Sequence, residues 1–197
     1  MPPMPPITQA LLLINVGAFC VDQVTGAWFT RLFALWPLGE GFLPWQVASY
    51  AFLHGSFNHL FFNMLGLWMF GSEIERLWGP KRFMQFYAAS VLAAAAAQLL
   101  VASLTGSPNP TVGASGGLFG LLLAFGMMFP HRTILLFFVI PVPARILVTL
   151  YGIFELYQGV AGSQAGVAHF AHLGGMLGGF LLIRYWRGQP PFGSGRR

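Results

Sequence analysis

The residues able to do chemistry in this 197-residue chain are few, and they stand against an apolar background. Ser115 lies in Gly113-Ala114-Ser115-Gly116-Gly117, while His169 and His172 open a glycine-rich run that ends at Gly179. His54, His59 and Asn63 fall within one short stretch. A serine hydroxyl beside an imidazole is the pair required for nucleophilic acyl transfer, with the imidazole as base. Small neighbours around Ser115 let backbone amides and a substrate chain approach closely, so Gly113 and Ala114 are candidate substrate- and oxyanion-lining positions. A helix beginning at Ser115 leaves its first amides unpaired and pointing outward, where an anion is stabilised. His59 and Asn63 are four residues apart and share one helix face.

For these groups to meet, separate elements must carry them to one place, and the composition says what kind of elements. Hydrophobic residues make up 56% of the chain and charged residues only 8%, against about 25% charged in a soluble globule. Mean hydropathy is +0.67. Such a chain cannot cover itself with polar side chains, so its outer surface must face lipid. A pI near 10.0 could suggest nucleic acid. With ten basic residues and no basic cluster interleaved with aromatics, no nucleic-acid partner is expected. The single cysteine, Cys20, sits in an apolar run, excludes an intrachain disulfide and reads as a packing residue. Residues Met1 to Pro6 have no positive n-region, so the first apolar run reads as an anchor rather than a cleavable signal.

Runs of roughly 20 apolar residues suit a bilayer core, and six segments are expected: Ile7 to Thr25, Phe57 to Trp78, Phe83 to Leu104, Gly113 to Phe129, Ala144 to Val160 and His169 to Trp186. The expected fold is an all-α membrane protein, a compact six-helix bundle over residues 1–187, with 188–197 a disordered cytoplasmic tail. Between the first two segments, Gly26 to Ser56 carries Trp28, Trp36 and Trp45, and its prolines and glycines argue against another span. It reads as a folded loop half-embedded in the headgroup region. The apolar stretch from Ile134 to Val142 is interrupted by Pro141 and followed by Pro143, neither of which can continue a helix. Six spans place nine of the ten basic residues on the side of the termini and only Arg31 opposite. That asymmetry makes the termini cytoplasmic. The second, fourth and sixth segments then all begin at the outer face. His54, His59 and Asn63, Ser115, and His169 and His172 are thereby brought to one membrane depth. Polar groups at such a depth are functional candidates by default. Gly174, Gly175, Gly178 and Gly179 form two overlapping G-x-x-x-G patterns that permit tight helix contact.

These residues resemble a known family, the rhomboid intramembrane serine proteases. The resemblance runs from about Trp45 to Phe180 and rests on His-Gly-Ser-Phe-Asn-His-Leu-Phe-Phe-Asn from His54 to Asn63, Gly-Ala-Ser-Gly from Gly113 to Gly116, and Ala-His-Leu-Gly-Gly-Met-Leu-Gly-Gly from Ala171 to Gly179. Each motif is weak alone, but three in order on the second, fourth and sixth segments are specific. The resemblance implies that Ser115 is the nucleophile and His172 the general base. It implies that Asn63 and His59 lie around the oxyanion with the Ser115 amide, and that the Phe119 ring packs on the catalytic histidine. Glu75-Arg76 resembles the charged end of the family's second helix. The family's first loop often carries Trp-Arg, whereas Trp45 is followed here by Gln46.

Each group has a plainer reading. Ser115 could be a helix cap, Asn63 interhelical glue worth about 0.6 kcal/mol, and the glycines packing alone. His54 reads as a support that ties down the loop through hydrogen bonds, and His169 as facing the mouth of the site. Glu155, midway along the fifth segment, has no assigned role. No aspartate lies at the outer ends of the second, fourth or sixth segments, so a Ser-His dyad with an acyl-enzyme is expected. The expected partners are transmembrane protein substrates and the lipid bilayer, in a bacterial inner membrane with the site near its outer face. No cofactor and no metal are expected. Two alternatives compete: a catalytically silent relative that binds membrane proteins, and a metal site or transporter built on the histidines. The latter is disfavoured because no H-E-x-x-H is present and no carboxylate is expected near those histidines.

Overall fold

The computed structural model describes residues 3–39, 41–136, 139–161 and 168–191. Its helices are α1 (Pro6–Thr25), α2 (Ala27–Phe33), α3 (Gln46–Ser49), α4 (Phe57–Gly66), α5 (Ser72–Thr105), α6 (Ser115–Met128), α7 (Ala144–Ala161) and α8 (His169–Trp186). A 3₁₀ turn, Tyr50–Phe52, follows α3, and a π turn, Leu67–Gly71, joins α4 to α5 without a break. Pro6–Thr25 and Phe57–Thr105 are long and apolar enough to cross a membrane, and Ser115–Met128 is a shorter apolar helix.

Gly79 divides the longest run. Its φ of 77° and ψ of 164° are non-helical, and Pro80 then starts a new helical arm, a position where its missing N–H costs nothing. The second arm folds back on the first. Twelve residues of straight helix would separate Gly71 from Phe83 by about 18 Å, yet a Cβ on Gly71 would lie 3.6 Å from the Phe83 ring. Trp78 and Phe86 likewise meet edge to face at 5.0 Å. The N-terminus of α1 is held to the start of α5 by the buried Glu75 carboxylate. It accepts hydrogen bonds from Ile7 N–H (2.9 Å), Thr8 N–H (2.7 Å) and the Thr8 hydroxyl (2.8 Å). These are amides that the helix itself cannot pair, and the anion sits at the positive end of the helix dipole.

Two connections carry secondary structure of their own. The segment after α1 contains α2, α3 and the 3₁₀ turn, because the connection is long enough to form short helices of its own. Prolines stop helix formation beyond α6, and the apolar residues there pair instead as an antiparallel hairpin, β1 (Thr133–Leu136) with β2 (Ile140–Pro143). Both strands of a two-stranded sheet are edges, where proline is tolerated. At the other end, α8 closes in a turn over Gly188–Pro191, with Arg184 Nε donating to the Pro190 carbonyl at 2.9 Å. Of the expected tail, 192–197 lie outside the described residues.

The centre of the structure is made by α5, α6 and α8, which pack on one another through glycine and alanine. A Cβ on Gly116 would lie 2.5 Å from Ala94 Cβ, and one on Gly174 would lie 2.5 Å from Ala97 Cβ. A Cβ on Gly175 would fall on the Gly116 carbonyl, and one on Gly120 on the Ser90 hydroxyl. Three of the α8 glycines, Gly174, Gly178 and Gly179, face α5, and Gly175 faces α6. Gly174 and Gly178 receive the alanine face of α5, while Gly175 meets the backbone of α6.

A direct prediction follows for these contacts. Gly175→Ala should push α6 from α8 and lower the melting temperature, since overpacking a core costs about 1–3 kcal/mol of stability. Gly152→Ala, whose Cβ would meet Met176 Cε at an ordinary 3.6 Å, should melt as the parent does. Equal melting temperatures for the two variants would contradict the packing described.

Candidate active site

Ser115 is the first residue of α6, and the chain leading to it is pinned from two sides. Thr111 and Leu35 exchange two backbone hydrogen bonds of 2.9 Å, and Gly113 N–H donates to the Tyr50 carbonyl at 2.9 Å. Tyr50 is itself anchored by its hydroxyl, which donates to the Val91 carbonyl of α5 at 2.9 Å. Gly113 has φ of 132°, and a Cβ there would lie 2.8 Å from the His59 ring and 3.4 Å from Ser115 Oγ. Only glycine suits both the conformation and the space. The first connection is fastened in turn by Gln46, which is fully buried. Its Oε1 accepts from Trp36 N–H (3.3 Å) and Leu43 N–H (3.1 Å), and its Nε2 donates to the Leu32 carbonyl at 3.3 Å. Trp45 Nε1 donates to the same carbonyl at 2.9 Å. A carboxamide here therefore supplies both an acceptor and a donor to the loop.

His172, one turn into α8, meets Ser115 across the glycine contact, with Nε2 2.8 Å from Oγ. Its ring lies flat on Phe119, centroids 4.2 Å apart and planes within 4°. On the other edge, His172 Nδ1 is 2.9 Å from Glu155 Oε2, and His169 Nδ1 is 2.7 Å from the same oxygen. Glu155 is 5% exposed and His169 6%. A carboxylate can only accept, so both Nδ1 atoms carry protons in this arrangement. His172 Nε2 is then left as an acceptor for the Ser115 hydroxyl, the tautomer a base requires.

His59 and Asn63 project from α4 beside the serine. Both line a cavity of about 780 Å³ together with Ser115, Phe119, Tyr151 and His172, large enough for a sizeable ligand segment. Asn63 Nδ2 donates to the His59 carbonyl at 2.8 Å. His54 is 1% exposed and its ring meets that of His59 edge-on at 5.0 Å. Its ring contacts the Phe52 backbone through a hydrogen bond, with no other hydrogen-bond partner among the described residues. It is held to the loop by that backbone contact and by packing on His59. Burial, and next the neighbouring His59, pull its pKa down to about 4, so the ring is neutral.

Of the residues singled out from the sequence, the structure gathers Ser115, His172, Phe119, His59 and Asn63 around one cavity, with Gly113 packed against His59 and Ser115. Ala114 is buried behind the serine, and His54 stands one ring removed. Two expectations are corrected. His169 does not face an open mouth but is buried against Glu155. A carboxylate does lie beside the histidines, because α7 turns Glu155 toward α8. The missed signal is positional: Glu155 lies six residues before the end of α7 at Ala161, and His172 three residues after the start of α8 at His169. Neighbouring antiparallel helices place such residues at similar depth. The ligand atoms of Glu155, His169 and His172 all lie within 4.8 Å of one another, a group among the described residues that could hold a metal ion.

Comparison with known proteins agrees with the geometry. The family described as Rhomboid domain matches residues 42–188. The chain is 35% identical over 189 residues to the mitochondrial Rhomboid protein 1 of Saccharomyces cerevisiae, covering 91% of this chain and 53% of that protein. It is 33% identical over 137 residues to Rhomboid protease GluP of Bacillus subtilis, covering 70% and 25% respectively. It is 30% identical over 189 residues to the mitochondrial RHOMBOID-like protein 12 of Arabidopsis thaliana, covering 86% and 55%. The chain thus spans between a quarter and about half the length of these relatives. With three quarters of its length inside the matched domain, and with that domain's motifs converging on one cavity, this chain belongs to the rhomboid family.

Proposed function

We propose that this protein is an intramembrane serine endopeptidase that cleaves peptide bonds in or near transmembrane segments of other membrane proteins. The observation that carries this reading is the 2.8 Å contact between Ser115 Oγ and His172 Nε2, made between helices far apart in sequence and opening into the cavity. In the reaction, Ser115 Oγ attacks the scissile carbonyl as His172 takes its proton. The developing oxyanion is held by Asn63, His59 and the backbone amides around Ser115, with Gly113 and Ala114 leaving room for the chain. Collapse breaks the C–N bond, and the proton on Nε2 passes to the leaving amine. Water then hydrolyses the acyl-enzyme, with His172 again as base. Water is scarce in lipid, so the chemistry requires the polar cavity. A helical peptide bond is shielded, so substrates must unwind near the site.

All six long helical segments are proposed to span the bilayer, Phe57 to Trp78 and the arm from Pro80 being two of them, with the connection containing α2 and α3 half-embedded. The charge asymmetry supports cytoplasmic termini and a site near the opposite face. The relatives are both mitochondrial and bacterial, so a bacterial inner membrane rests on no more than the initial expectation. The catalytically silent alternative is weighed against by the retention of both Ser115 and His172.

Ser115→Ala and His172→Ala should each abolish cleavage of a model transmembrane substrate while keeping the parental melting temperature. The double variant should be no slower than either single one, since groups acting as a unit are non-additive. Cleavage by correctly inserted Ser115→Ala protein would refute the serine mechanism. Asn63→Ala should lower turnover by up to ~10²–10³-fold, the effect of losing one oxyanion donor, with little change in melting temperature. A destabilised but fully active Asn63→Ala enzyme would mark Asn63 as interhelical glue. The proximity of Glu155, His169 and His172 makes a metal-dependent reading specific enough to test. Strong chelators should leave turnover unchanged, and stoichiometric zinc whose removal abolishes activity would favour that reading instead.

A further inference from the structure

A buried carboxylate next to two imidazoles needs a reason, because an ion removed from water is costly unless it is paired and hydrogen-bonded. We propose that Glu155 is a positioning residue for His172, completing a Ser115–His172–Glu155 chain of hydrogen bonds in which His169 holds the carboxylate in place. This rests on the serine-protease reading and deepens it, turning an expected pair into a group of three.

The geometry carries the assignment. Glu155 Oε2 lies 2.9 Å from His172 Nδ1, and on the opposite side of the ring Nε2 lies 2.8 Å from Ser115 Oγ. The three groups thus form a continuous line. Phe119 covers one face of the imidazole, which limits tilting of the ring but leaves open which nitrogen bears the proton. The carboxylate decides that question, since it accepts a proton donor at Nδ1 and so frees Nε2 as base. His169 Nδ1 donates to the same oxygen at 2.7 Å, and His169 Nε2 has no hydrogen-bonding partner among the described residues. His169 is therefore turned toward the carboxylate and braces it. The other titratable groups around His172 are His59 on α4 and Tyr151 on α7, whose ring packs edge-on against Phe119. Neither is negatively charged in its ordinary state, so Glu155 is the group among those facing His172 that compensates a charged imidazole.

Its contribution to the reaction balances without a proton leaving the ring at Nδ1. As the Ser115 O–H bond breaks and the O–C bond forms, the proton moves to Nε2. The imidazolium keeps its Nδ1 proton, hydrogen-bonded to Glu155, which is not itself protonated. When the C–N bond breaks, the Nε2 proton goes to the departing amine. The carboxylate thus orients the neutral ring before the transfer and stabilises the charged ring after it.

The experiment uses the full chain in detergent or liposomes as parent, Glu155→Gln, His169→Gln and Ser115→Ala. It measures melting temperature, kcat and KM on a model transmembrane substrate, and the rate of fluorophosphonate labelling at Ser115. Side-chain nitrogen NMR of His172 reports the tautomer. Glu155→Gln should lower kcat by up to about 10⁴-fold, the effect of losing the carboxylate of a catalytic triad. KM should change little, labelling should slow in parallel, and the His172 spectrum should shift from the Nδ1–H form toward a mixture. His169→Gln should cost far less. Parental kcat in Glu155→Gln, or an equal loss in His169→Gln, would overturn the assignment. An Nε2–H tautomer at His172 in the parent protein would also overturn it, even if Glu155→Gln failed to fold. Absence of labelling and cleavage in the parent would instead sink the serine-protease reading.

Discussion

The site depends on the backbone contact between α6 and α8. Apolar side chains gain little by leaving lipid for one another, so helix association in a membrane leans on close van der Waals contact. Gly175 against Gly116 brings that contact as near as two helices can come, since any side chain at Gly175 would overlap the Gly116 carbonyl. Ser115 immediately precedes one of these glycines, and His172 lies one turn before the other. A hydroxyl and an imidazole both have short reach, and their 2.8 Å separation is a consequence of where the two backbones touch. The same approach explains the alanine face of α5, which leaves room for α8 to settle against it.

A second set of constraints fixes the serine from outside the helix contact. The chain before Ser115 has no regular structure to hold it, and it borrows rigidity from the first connection through Leu35 and Tyr50. That connection is in turn stitched by Gln46 and Trp45 to the end of α2. At the opposite end, Glu75 performs the analogous service for α1 by pairing its first amides. In each case a buried polar side chain meets backbone groups that an element end leaves unpaired, which is the condition under which burying it is tolerable. Glu155 differs. Its partners are side chains on a neighbouring helix, and one of them is the imidazole that faces the serine.

Much of the architecture was legible from residue types alone, and for a physical reason. Apolar runs must match a bilayer, charges must stay out of it, and G-x-x-x-G must mean close contact, so the helix bounds and the shared level of Ser115 and His172 could be read along the chain. The Ala144 to Val160 segment, read as apolar and starting beyond Pro143, lies within a residue of the helix observed. The stretch from Gly26 to Ser56 was legible as a non-spanning connection. Its short helices were not, because their formation depends on contacts with Thr111 and with the core beneath.

What the sequence determined by itself is the set of long helices, their polarity and the presence of a serine, an imidazole and a carboxamide at one level, since these follow from local composition and from chain direction. What the tertiary structure decided is which sides of the helices face one another. Helix α7 has exposed apolar residues over much of its surface, including Ile153, Phe154, Leu156 and Tyr157. With lipid and protein neighbours both apolar, no hydrophobic periodicity marks which face is turned inward. Only the docking of α7 on α8 turns Glu155 to His172 and His169. Helix rotation is set by pairwise fit between surfaces, and that information belongs to no single segment of the chain.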